Sequence, residues 1–185
     1  MKKILFGITS LTLGGAERVL VDIVNELNDK YDITIFTIYA KGELEKELSK
    51  NIKLKSLCNE SYLELSKIKR HILMPLKVLL LKNFIYKKHI NKAYDVEIAF
   101  LEGPITRLIS TRNKNAKKIA WIHNDISLVF GNGLKSKIKK YIDKNTYKRY
   151  NQLIFVSNDN LQKFERSISK FKEYRKSKYG QTGYI

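Results

Sequence analysis

Four short clusters in this sequence carry the residue types that bind phosphates, bind hydroxyls or move protons. Thr12, Gly14 and Gly15 stand in "TLGGAE", Glu102 and Gly103 in "FLEGP", His123, Asn124 and Asp125 in "WIHND", and Ser157 and Asn158 in "VSND". Paired glycines let backbone N–H groups approach a phosphate or a sugar, and a helix beginning near Ala16 adds its positive end. The imidazole of His123 can hydrogen-bond a hydroxyl or phosphate, or exchange a proton near neutral pH. Glu102 can accept hydrogen bonds from sugar hydroxyls or act as a base. Thr12, Asn124, Asp125, Ser157 and Asn158 add short polar groups of the kind that orient a hydroxylated substrate. Each cluster also has a plainer reading. Gly14-Gly15 permits a tight turn, His123 caps a strand end, and Glu102 caps a helix starting near Ile105. The glycine pair is neither G-x-G-x-x-G nor a Walker loop, which would carry a lysine.

The four clusters form a set because each follows a short apolar run. Strand candidates are "KILFGIT", "DITIFTI", "IKLKSL", "DVEIAFL", "KIAWIH" and "QLIFVS". Helical periodicity lies between them, at Ala16 to Asn28, Glu43 to Ser49, Tyr62 to Asn91 with a break near Pro75, Ile105 to Thr111, Leu134 to Tyr150 and Asn160 to Lys170. Strands alternating with helices predict an α/β fold with a doubly wound parallel sheet. Ligands of such sheets gather outside the carboxyl ends of the strands, which is where all four clusters fall.

The first twenty residues admit two readings. Lys2, Lys3 and the apolar stretch from Ile4 to Leu13 resemble a secretory signal ending near "LGGA". Against this, Thr9, Ser10 and Thr12 dilute the apolar stretch, and Val19, Leu20, Ile23, Val24 and Leu27 already mark one face of a helix. The second reading, a strand, a glycine turn and a helix, makes the N-terminus part of the fold.

A chain of 185 residues is enough for one domain that buries about 70% of its unfolded surface. The single cysteine, Cys58, cannot form an intramolecular disulfide, and His71, His89 and His123 have no metal-ligand spacing, so a cytoplasmic protein without a metal site is expected. The most apolar run, "ILMPLKVLLL", falls short of the roughly 20 residues a spanning helix needs. The net charge of +18 predicts attraction to phosphate-rich surfaces. Between Ser66 and Lys92 there are eight Lys or Arg and no acid. Lys67, Lys69, Arg70, Lys77, Lys82, Lys87 and Lys88 are there interleaved with leucines, as in a segment lying at an anionic membrane surface. The alternative packs Leu76, Leu79, Leu80, Phe84 and Ile85 on the sheet and leaves the lysines solvated. A second basic stretch, Lys135 to Arg149, has Leu134, Ile138, Tyr141 and Ile142 at helical spacing beneath its lysines. Nucleic acid is a competing partner for the charge, but no recognition motif supports it and the tyrosines are scattered.

Taken in order, "ILFGITSLTLGGAERVLVDIVNEL", "DVEIAFLEGPITRLIS", "KKIAWIHND" and "QLIFVSNDNLQKF" resemble the N-terminal half of family-four glycosyltransferases, over about residues 1 to 170. The resemblance implies a GT-B fold, in which two Rossmann-like domains face each other across a cleft, of which this chain supplies the acceptor-side one. It implies that Gly14 and Gly15 approach the diphosphate and sugar of a nucleotide-sugar donor, and that His123 lines the cleft near the transferred sugar. It further implies a retaining transfer with no metal or other resident cofactor. "LEG" and "WIHND" are most similar to enzymes of bacterial surface-polysaccharide (capsule) assembly, whose acceptors are lipid-linked saccharides met at the inner face of the plasma membrane. The family's donor-binding C-terminal domain, with its Glu-x7-Glu motif, has no counterpart in these residues. Glu165 and Glu173 share that spacing by coincidence, within a basic stretch whose last part, 171–185, reads either as a tail or as an interrupted end. One wall of a cleft is expected to be inactive alone, and to act with a separate C-terminal domain polypeptide. The competing class is a non-catalytic fragment that binds a membrane or a partner.

Overall fold

The apolar runs become strands of one sheet that is parallel throughout. A computed structural model describes residues 1–90, 94–124 and 134–168. Its strands are β1 (Lys3–Ile8), β2 (Asp32–Ala40), β3 (Lys53–Ser61), β4 (Val96–Ala99), β5 (Lys117–Ile122) and β6 (Gln152–Phe155). They pair in the order β3-β2-β1-β4-β5-β6, every neighbour parallel. The expected doubly wound, Rossmann-like α/β sheet is therefore the observed one. The strand order reverses between β1 and β4, the switch point outside whose carboxyl ends ligands of such sheets bind. The segment over 171–185 lies outside the described residues.

Central position explains the composition of the first two strands. β1 is buried at every residue after Lys3, and β2 at every residue between its ends, as strands covered on both faces must be. The opening residues thus fold as strand, turn and helix, with β1 paired on both sides. On one face, Leu20, Val21 and Val24 of α1 (Gly15–Leu27) pack on Ile4, Phe6, Ile8, Ile33 and Ile35. The opposite face carries α2 (Met74–Ile85) and α3 (Pro104–Ile109), whose Val78, Ile85, Ile105 and Leu108 cover Leu5, Phe36, Ile38 and Ala99. Farther along, Tyr147 of α4 (Leu134–Tyr147) and Phe164 of α5 (Asn158–Ile168) cover Ala120, Ile122 and Leu153.

Three local expectations are revised. Glu43 to Ser49 forms only a 3-10 turn, Glu43–Glu47. The long basic helix begins after Ser66 and is not broken at Pro75. A π-helical turn, Lys69–Leu73, runs directly into α2, and a second, Tyr86–Ile90, leaves it. Pro75 falls just after the π-helical turn, at its junction with α2. Finally, Ile138 and Tyr141 do not lie beneath the lysines of α4; they are 54% and 70% exposed. The cause is Asp143, turned inward to a buried bidentate pair with Arg107 of α3, with Nε to Oδ1 at 2.7 Å and Nη2 to Oδ2 at 3.1 Å. That pairing rotates the opposite face of α4 to solvent.

The surface of α2 is equally unusual. Met74, Val78 and Ile85 face the core, yet Leu73, Leu76, Leu80 and Phe84 recur on the other side with 54%, 48%, 72% and 64% exposure. A helix apolar all round normally has both sides covered. At the amino end of the sheet, away from the carboxyl edge, Lys118 and Glu97 form a buried ion pair that Tyr86 and Asn113 complete with hydrogen bonds to Glu97. Burial holds the Lys118 ammonium below its usual pKa, against the opposing pull of Glu97.

Candidate functional site

All the expected site residues among the described positions follow strands at the carboxyl edge, and Asp125 lies outside the described residues. What links them is a set of contacts between loops. Phe100, directly after β4, donates its N–H to the carbonyl of Gly7 at 2.8 Å. Its ring packs edge-on to Phe6 of β1 at 6.4 Å, and meets Trp121 at 4.8 Å and His123 at 4.7 Å. The ends of β1, β4 and β5 are thereby fixed side by side.

Glu102 is the second link. Its Oε1 accepts the backbone N–H groups of His123 and Asn124, at 2.6 and 2.9 Å, and its Oε2 accepts from Nδ2 of Asn124 at 2.6 Å. A carboxylate so held orients the loop, with Oε1 taken up by two N–H groups and Oε2 keeping one acceptor position beyond its bond from Asn124. Gly103 follows with φ +95°, a conformation costly for any other residue, and so lets Glu102 turn away from α3 toward β5.

A residue that sequence reasoning passed over makes the third link. Asn160, in the first turn of α5, is buried and donates through Nδ2 to the carbonyls of His123 at 3.2 Å and Asn124 at 3.0 Å. Its one sequence signal is an amide in the first turn of a helix that follows a strand of the edge. Ser157 accepts the N–H of Asn160 through Oγ at 3.1 Å and so caps α5. Ser157 and Asn158 are themselves exposed.

His123 sits in the middle. Its ring stacks on Trp121 with an interplanar angle of 22°, and burial depresses its pKa to about 4, so it is neutral at pH 7. Three buried polar atoms gather here without a hydrogen-bond partner among the described residues: Nε2 of His123, Nε1 of Trp121 and Oδ1 of Asn160. Buried polar groups are nearly always paired, and orphans concentrated at one strand end mark a place where something else bonds. A donor and two potential acceptors together suit hydroxyl groups, which both give and take hydrogen bonds.

The loop after β1 completes the edge. It is held from below by the N–H of Leu44, which bonds the carbonyl of Leu11 at 2.9 Å. Gly42 makes that approach possible, since a Cβ there would lie 2.3 Å from the Leu11 carbonyl carbon. Thr12 hydrogen-bonds Ser10 at 3.1 Å between hydroxyls. Gly14 precedes α1 in extended conformation, and a Cβ at Gly15 would meet nothing within 4 Å. A side chain at Gly15 would thus project into open space, while the carboxylate of Glu17 lies beside Gly14.

No protein-family model matches the sequence, and no curated protein matches it. Solved structures do. Anabaena HepE in complex with UDP and glucose superimposes with a TM-score of 0.58 at 18% identity, over 92% of this chain and 42% of the HepE chain. The same protein in complex with UDP-glucose gives the same values. The fold is shared. The chain spans less than half the length of HepE, and at this identity the likeness speaks for architecture alone. Among the described residues no group of His, Cys, Asp or Glu is placed to hold a metal ion, and no helix is long and apolar enough to cross a membrane.

Proposed function

We propose that this chain is the acceptor-side, N-terminal domain of a GT-B glycosyltransferase similar to family four, moving a sugar from a nucleotide-sugar donor to a lipid-linked saccharide during bacterial surface-polysaccharide synthesis. The observation that carries the reading is the cluster of unpartnered polar atoms around His123 at the carboxyl edge of the sheet. The shared fold of HepE, solved with UDP and glucose, supports the nucleotide-sugar class. In this reading the N–H groups at Gly14 and Gly15 meet the donor diphosphate, aided by the α1 dipole. The neutral imidazole of His123 hydrogen-bonds the sugar near the reacting centre, and Glu102 and Asn160 hold it in place. Thr12, Asn124, Asp125, Ser157 and Asn158 border the acceptor side. The nucleotide is held chiefly by a second domain, in the same or a separate polypeptide, and no resident cofactor takes part.

The reading places the protein at the inner face of the plasma membrane. Support comes from the outward apolar row of α2 with exposed Lys67, Lys77, Lys87 and Lys88 around it, since an exposed apolar patch rimmed with cations suits an anionic interface. Lys69 and Arg70 are partly committed elsewhere, Lys69 to Glu60 at 2.6 Å and Arg70 over the Tyr62 ring at 5.1 Å. The test supplies labelled nucleotide sugars and membrane lipid extract to the chain alone and to the chain co-expressed with a donor-binding domain. Lipid-borne label only in the second case is expected. Transfer by the chain alone overturns the division of labour, and no transfer in either case, with vesicle binding retained, favours a non-catalytic membrane-binding fragment.

A further inference from the structure

The charge of α2 and α4 converges on a groove that neither the carboxyl edge of the sheet nor the apolar row accounts for. The two helices approach across α3, which has six residues and is buried from Ile105 through Ile109. Because α3 is so short, it fills only part of the space between its neighbours. The remaining groove, of about 190 Å³, is lined by Lys82 of α2 and by Tyr141, Ile142, Asn145, Thr146 and Arg149 of α4 and the turn after it.

Two cations in this groove lack a counter-charge. Neither Lys82 nor Arg149 forms an ion pair among the described residues, and no carboxylate lines the groove. Asp143, also on α4, is paired with Arg107. Burial first, then the positive fields of Arg149 and Arg107, hold the Lys82 ammonium below its ordinary pKa. Folding has therefore gathered like charges around a recess with amide and hydroxyl groups beside them, an arrangement that an incoming anion relieves. The α4 side of the groove is apolar at its surface: Tyr141 lines it, Ile138 stands one turn before on the same face, and the two are 70% and 54% exposed.

We infer that this groove binds the phosphate headgroup of a membrane lipid, with the apolar α4 side seated among the acyl chains. That side selects a lipid over a free anion, because a dissolved phosphate would leave those side chains in water. The inference rests on the reading of the protein as one that acts at a membrane, and extends it by assigning a defined headgroup site outside the sugar site.

The experiment uses the purified chain without nucleotide sugar, so its outcome is independent of whether sugar is transferred. Phosphatidylcholine vesicles carrying a minority of phosphatidic acid are compared in flotation with vesicles of matched charge carrying phosphatidylglycerol, and inorganic pyrophosphate is added as a soluble competitor. The Lys82→Gln/Arg149→Gln variant is set against Lys30→Gln/Lys50→Gln, which removes the same charge from exposed positions elsewhere. Circular dichroism melts establish that both variants fold. The expected result is a loss of roughly fivefold or more in phosphatidic acid binding for the groove variant, well beyond the general electrostatic loss in the control. Pyrophosphate should compete weakly. Equal losses in the two variants would reduce the groove to part of a diffuse positive surface, and full displacement by pyrophosphate would show a site for free phosphate.

Discussion

One carboxylate oxygen of Glu102 accepts the backbone N–H groups of both His123 and Asn124. The loop that presents the imidazole is therefore clamped from the neighbouring strand's loop. Glu102→Ala should destabilise the fold by about 1–3 kcal/mol, the range for losing charge-assisted bonds to groups left unsatisfied. It should also speed amide exchange at His123 and Asn124. Glu102→Gln keeps a carbonyl acceptor for both N–H groups and should recover most of the stability. In the complete enzyme it should recover most of the transfer as well. Transfer abolished equally by Gln and Ala would make Glu102 an acid or base after all.

The buried imidazole predicts a pH signature. With a folded pKa near 4 and an unfolded value near 6.5, the unfolded chain binds more protons between those limits, so His123 makes stability rise with pH across that window. Above about pH 6.5 its contribution is complete, and below about pH 4 it is gone. His123→Phe retains the stacking on Trp121 and removes the titration. The difference in unfolding free energy between wild type and variant, followed by denaturant titration, should slope upward from pH 4 to 6.5 and then flatten. A flat difference throughout would mean that the imidazole is solvated.

Two glycines near the β1 edge should respond in opposite ways. Gly15→Val adds a side chain into open space, so stability should change by less than about 0.5 kcal/mol while donor binding is obstructed. Gly42→Ala forces a Cβ against the Leu11 backbone and should cost about 1–3 kcal/mol, typical of overpacking. Thermal melts and nucleotide-sugar titrations of both proteins separate the effects.

The outward row of α2 gives a further contrast. Leu80 and Phe84 are largely solvent-exposed, so Leu80→Glu/Phe84→Glu should fold normally. If that face enters the bilayer interface, the variant should lose most of its affinity for anionic vesicles. Wild-type binding should also weaken as salt shortens the Debye length from about 10 Å toward 3 Å. Unchanged binding by the variant would reduce the row to a solvated face.

The strands were legible because each is a short apolar run bounded by polar residues, and the edge location of the clusters followed from their places directly after strands of a parallel sheet. The roles within the site were less legible. Glu102 bonds residues 21 and 22 positions away, and Asn160 bonds carbonyls 36 and 37 positions away; local pattern carries no trace of such partners. The facing of α4 is hidden from local pattern for the same reason. Helical spacing placed Ile138 and Tyr141 inward, but a charge pair from Arg107, 36 positions before Asp143, decides the rotation.

In the proposed function the loops after β1 and β5 form one sugar-nucleotide-facing edge. That arrangement is tested most directly by following the backbone amide resonances of the isotopically labelled chain as UDP-glucose is added. Weak binding is expected, as befits one wall of a cleft, with shifts concentrated at Gly14, Gly15, His123 and Asn124 and diminished in Gly15→Val. Shifts confined to another surface, or a spectrum that does not change at millimolar nucleotide sugar, would contradict it.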